Sequence, residues 1–225
     1  MVFASRQTLA LVSASACEDG FVNFVAHAVI ADALGCSPLE AFGAMVPDLA
    51  NMVGAMTGAR STPNLPAEAL VYGSSVHVAT DEAFHHHPTF VSLTRKAAAS
   101  MDGRRHVNTA AAHVGIELLI DGILLEQSRA EPYPIALSVA APFCVGPWAE
   151  LMEYLVDDNP TRYYRTIDGC AERTWRILGG RRVLAQGRPT IESLNAGLQD
   201  VAVEVGLAID DVLQHVTAGA RKSME

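Results

Sequence analysis

Residues 105–127, RHVNTAAAHVGIELLIDGILLEQ, decide the fold. The stretch is rich in Ala, Leu, Ile and Glu and contains no proline. It also lacks the apolar–polar alternation a half-buried strand would show, so it predicts one long apolar helix. Three ionisable residues interrupt it at a spacing of four, His113, Glu117 and Asp121, and so share one helix face. Two carboxylates buried unpaired in so apolar a helix would cost several kcal/mol, which a cation or facing histidines would offset.

A second trio lies upstream, on the helix predicted from Ala67 to His87. His77, Asp81 and His85 are again four apart. Imidazole nitrogen and carboxylate oxygen on one face suit Zn²⁺, Mn²⁺ or Fe²⁺. His27 sits in the apolar run Phe21–Leu34, and Asp48 follows Pro47 on the helix that begins at Ser37-Pro38-Leu39-Glu40. Four helices thus each offer ligands, as a bundle with a metal in its core requires. The expected ligands are His27, Asp48, His77, Asp81, His113, Glu117 and Asp121, with Asp48 and Asp121 also suited to orienting other ligands. His85 or His113 would serve as general acid to a leaving oxygen. Arg95, Arg104 and Arg105, with Lys96, are the cations nearest in sequence to hold a phosphate.

Each feature has a plainer reading. A single core histidine is usually bonded to a carbonyl, i,i+4 charge pairs are usually solvated, and the run His85-His86-His87 suits a helix C-terminus. Two such trios on apolar helices in one chain favour metal. His106 and His215 fall outside the pattern and read as surface residues.

The rest of the chain is read outward from these two helices. Residues 1–20 form an N-terminal extension, a weak helix or arm, and 21–225 one all-α domain. Its metal-site half spans 21–128 and its supporting helices 134–220. Predicted helices cover 21–34, 37–56 with a kink or restart at Pro47, 67–87, 89–100, 105–127, 135–157, 160–178 and 190–220. Residues 57–66 (TGARSTPNLP) form a loop.

Half the residues are hydrophobic, 18% are charged, and the net charge is −9. That balance argues against nucleic acid and against anionic membranes. It leaves room for a small anionic substrate if a cation supplies local positive charge. The apolar run after Arg6 is too short for a signal peptide, and no later run reads as spanning a bilayer, so a cytoplasmic protein is expected. Cys17, Cys36, Cys144 and Cys170 read as scattered thiols of a reducing compartment. Apolar stretches such as Ile135–Val145 raise the expectation of a homo-oligomer.

NFVAHA (residues 23–28), GAMVPD (43–48) and GSSVHVATDEAFHHHP (73–88), followed by the helix from His113, resemble the acyl carrier protein phosphodiesterase family. The likeness covers roughly residues 21–125, with Gly73, His77, Asp81 and Pro88 in register. It implies an all-helical, HD-domain-like metal hydrolase with a Mn²⁺-type site that cleaves a phosphodiester. His27, Asp48, His77, Asp81, His113 and Glu117 would be its metal-shell positions. The chain departs from that pattern at Val78, where the family has a basic residue. It also has His85 in place of an acid, and Glu117-Leu118 in place of an Asp-His pair. An acidic chain is moreover a poor dock for acidic acyl carrier protein, so the expected substrate is a small-molecule or carrier-bound phosphate ester.

Three functions remain open at this level. The first is a hydrolase of a phosphate ester or phosphodiester, dependent on a divalent Mn, Zn or Fe ion. The second is an HD-type di-iron oxygenase. The third is a non-enzymatic helical binding protein with a buried His/acid network, in which Glu192, Asp200, Glu204, Asp210 and Asp211 would serve a partner.

Overall fold

The computed structural model describes residues 24–158 and 160–225; the expected N-terminal extension lies outside them, as does Cys17. The described residues form α1 (Phe24–Ala33), α2 (Pro38–Thr57), α3 (Ala67–His86), α4 (Pro88–Ala99), α5 (Arg105–Glu126), α6 (Pro132–Ala140), α7 (Pro147–Glu153), α8 (Ile167–Gly180), α9 (Arg182–Ala185) and α10 (Ile191–Met224). There is no strand among them. The protein is an all-α helical bundle.

Local chemistry sets the boundaries. The Glu40 backbone N–H donates to the Ser37 hydroxyl, and the Glu40 carboxylate accepts from the Ser37 N–H at 2.7 Å, a capping box with Pro38 in the first turn. Gly58 closes α2 at φ +78, a left-handed conformation that favours glycine. Pro88 forces His87 into an extended conformation, so α3 ends there and α4 starts. Thr190 caps α10 by accepting from the Ser193 N–H.

The first half follows the sequence expectation closely. In the second half the expected helix over 135–157 is three pieces: α6, a 3₁₀ turn at Ala141–Phe143, and α7 continuing into a wider π turn at Tyr154–Asp158. Pro142 and the Gly146-Pro147 pair explain the breaks, since Gly146 sits at φ +58 and proline cannot continue a ladder. The expected helix over 160–178 opens as 3₁₀ and becomes α8 only after Thr166, whose hydroxyl accepts from the Gly169 N–H.

The core centres on α5, where Val114, Ile116, Leu118, Ile120 and Leu124 are buried. By length and composition α5 is apolar enough to cross a membrane, which corrects the sequence reading. Of its most apolar window, however, 78% is buried inside the bundle, as in a core helix. Cys36, Cys144 and Cys170 are free thiols.

One crossing positions the site. A Cβ at Gly43 would lie 2.4 Å from the Ala69 carbonyl oxygen, and one at Gly73 would lie 2.5 Å from the Gly43 carbonyl carbon. Only glycines let α2 and α3 approach this closely. Pro47, which remains inside α2, has no N–H to offer the Gly43 carbonyl in the same turn.

Candidate metal centre

The close α2–α3 crossing brings the Ala44 carbonyl to His77. The His77 Nδ1–H donates to that oxygen at 3.0 Å, which fixes the tautomer and leaves the Nε2 lone pair facing inward. Nε2 stands 3.3 Å from Asp81 Oδ2, one helical turn away. From α1, His27 Nε2 reaches Asp81 Oδ1 at 3.2 Å and Asp48 Oδ2 of α2 at 3.7 Å. The His27 and His77 rings lie 4.2 Å apart, centroid to centroid. His27, His77 and Asp81 form one group able to hold a metal ion, with both histidines buried and Asp81 half-buried.

One turn along α3, His85 opens a second group. Its ring lies 4.8 Å from that of His113 on α5, and His113 Nε2 stands 3.1 Å from Glu117 Oε1. Phe90 packs edge-on against His113 at 5.0 Å and supports it from α4. Glu117 is buried and its Oε2 has no hydrogen-bond partner. His85, His113 and Glu117 are likewise able to hold a metal ion. The two groups share α3, with Asp81 and His85 about 6 Å apart along its axis.

Electrostatics separates the members. Burial pushes the His77 imidazole down to about 4, helped by His27 and opposed by Asp81 and the Ala44 carbonyl. Burial alone would raise the Asp81 carboxyl. The His27 hydrogen bond and the charges of His27, His77 and His85 outweigh it and hold Asp81 below the usual carboxylate range. Burial, then His113, lowers His85.

The expected residues do not all converge. Asp121 is fully buried, but its two oxygens accept from the α1 backbone, from Val25 N–H at 3.2 Å and Ala26 N–H at 2.8 Å. It caps the N-terminus of α1, whose unpaired amides and positive dipole end favour a carboxylate. Even so, burial raises its carboxyl well above the ordinary value, against the two amide bonds. Asp121 therefore serves the site at one remove, by pinning the helix that carries His27. Arg95, Arg104 and Arg105 are exposed. Arg105 begins α5, about 12 Å along the axis from His113, and the Arg104 side chain packs against Gly187. The structure does not bring these arginines to the two groups.

Sequence reasoning missed the Ala44 carbonyl, a backbone acceptor that side-chain spacing cannot reveal; the glycines opposite each other in α2 and α3 were the available signal. No family model matches the chain, and no curated protein or solved structure matches it either.

Proposed function

We propose that the protein is a metal-dependent hydrolase of a phosphate ester or phosphodiester, holding Mn²⁺, Zn²⁺ or Fe²⁺ in the two His/carboxylate groups. The observation that carries the metal is His77: a buried imidazole whose Nδ1–H is tied to a carbonyl and whose Nε2 faces a carboxylate and a second imidazole is arranged as metal-binding histidines are. The unpartnered Glu117 Oε2, buried beside His113, supports the second group. The phosphate ester rests on the residue pattern over 21–125.

A divalent cation held there would polarise a phosphoryl oxygen and bring bound water toward ionisation near neutral pH. The chain's own groups do the rest. His27, His77 and Asp81 define the buried floor, and Asp48 adds a second carboxylate on the same Nε2 side of His27, at 3.7 Å. Asp81, shared by the two histidines of its group, faces the His85 group along α3. His85 is the exposed member. Where the ion is held by His27, His77 and Asp81 alone, burial and His113 keep the His85 imidazole below its ordinary range, and it is left to accept a proton from water and return one to the leaving oxygen.

Hydrolysis of bis(4-nitrophenyl) phosphate by the metal-loaded chain tests this. Turnover with Mn²⁺ or Zn²⁺ that falls at least about 100-fold in His77→Ala and in Glu117→Gln supports the proposal. A metal-loaded chain that turns over no phosphate mono- or diester contradicts it.

One observation favours a second reading. Each group consists of two histidines and one carboxylate, the ligand set of non-haem iron sites that use O₂. Iron bound in preference to Mn²⁺ and Zn²⁺, with O₂ consumption, would select it.

A further inference from the structure

The histidine run at the end of α3 points in three directions. His85 belongs to the second group described above, and His86 Nδ1 pairs with the Glu82 carbonyl at 2.7 Å. His87 turns toward α10. It is 3% exposed, its Nδ1 has no hydrogen-bond partner, and its Nε2 lies 3.6 Å from Asp211 Oδ2 on α10. His215, one turn further along α10, sets its ring edge-on to His87 with centroids 4.7 Å apart. An open groove of about 370 Å³, lined by Glu82, His86, His215 and Lys222 among others, runs alongside.

The geometry points to a third cation site, separate from the two-group centre, in which His87, Asp211 and His215 bind Zn²⁺. Two imidazoles and one carboxylate match that ion's preference, leaving a fourth position for water. His87 is the fixed ligand: Pro88 and its own place between two helices set its backbone. Asp211 and His215 share one face of α10 and are both exposed, so theirs are the side chains that turn to close on His87 when an ion binds. The α10 backbone already packs here, where a Cβ at Gly219 would meet the Ala83 side chain at 3.2 Å. A bound ion would clamp α10 to the α3–α4 junction and so steady the end of α3 that carries His85.

Equilibrium dialysis against micromolar Zn²⁺, followed by elemental analysis, tests the site in a chain whose first centre is silenced by His77→Ala and His113→Ala. That chain should retain about one Zn²⁺ and lose it on adding His215→Ala or Asp211→Asn, with circular dichroism at 222 nm unchanged. The same loss of one ion should appear when His215→Ala is made in the otherwise native chain, so the result does not depend on the silenced background. Excess Zn²⁺ should also raise Tm by about 5 °C in the silenced chain and not in its His215→Ala derivative. Zinc content or Tm response that ignores both α10 substitutions would overturn the site. The metal content of the first centre reports on the hydrolase reading independently.

Discussion

His77 is buried with its ring against that of His27, and this makes its protonation costly even though the Ala44 carbonyl and Asp81 favour the charged form. Its imidazole titrates near 4 in the fold against about 6.5 unfolded. Between those values the unfolded chain binds more protons, so stability from this group is full above 6.5 and is lost as pH falls toward 4. Tm of the metal-free chain should therefore drop over pH 6.5 to 4, and the drop should shrink in His77→Gln. Asp121 offers a second test. Asp121→Ala strands the Val25 and Ala26 amides and should cost about 2–4 kcal/mol by urea denaturation. Asp121→Asn keeps an acceptor and should cost less. The i,i+4 spacing made His77, Asp81, His113 and Glu117 legible as site residues. Asp121 shares that spacing but goes to the start of α1, because nothing in sequence spacing tells which neighbour a buried acid faces. The three consecutive histidines were legible only as a helix end; their three destinations depend on which helices pack around α3.

At the scale of elements, the site is made by a crossing. Gly43 and Gly73 let α2 and α3 touch, and that contact puts the Ala44 carbonyl on His77. Gly73→Ala should destabilise the fold by about 1–3 kcal/mol through overpacking. It should also weaken metal binding, measured by competition with a chelating dye, by more than an equally destabilising change in α8. Helices with proline or a capping residue at the start and glycine or proline near the end were readable within a residue or two, as α2 shows. The region from Pro132 to Arg165 was not. Over 135–157 only Pro142 and the Gly146-Pro147 pair break a helical composition, so the single expected helix becomes α6, a 3₁₀ turn and α7.

Across the whole molecule acids outnumber bases by nine, and some of the acids of α10 are engaged within the bundle. On α10, Glu204 pairs with Lys96, Asp210 accepts from Arg129 at 2.6 Å and Asp200 accepts from the Ser100 hydroxyl at 2.5 Å. These three acids face partners on α4, the turn after it and the turn after α5. The pairs are exposed, so Glu204→Gln or Asp210→Asn should each change stability by less than about 1 kcal/mol, with the difference vanishing in high salt. The candidate ligands of the two groups all come from α1, α3 and α5, within the half of the chain expected to carry them. The second half adds α10, whose packing on α3, α4 and α5 could not be read from its own amphipathic pattern. Everything proposed for function rests on a cation in the buried centre, and elemental analysis of the purified chain beside a His77→Ala/Asp81→Ala variant tests that most directly. Near-stoichiometric Mn, Zn or Fe is expected in the native chain and is lost from the variant. A native chain that stays metal-free after incubation with all three ions, or a variant that keeps the full metal content, would contradict it.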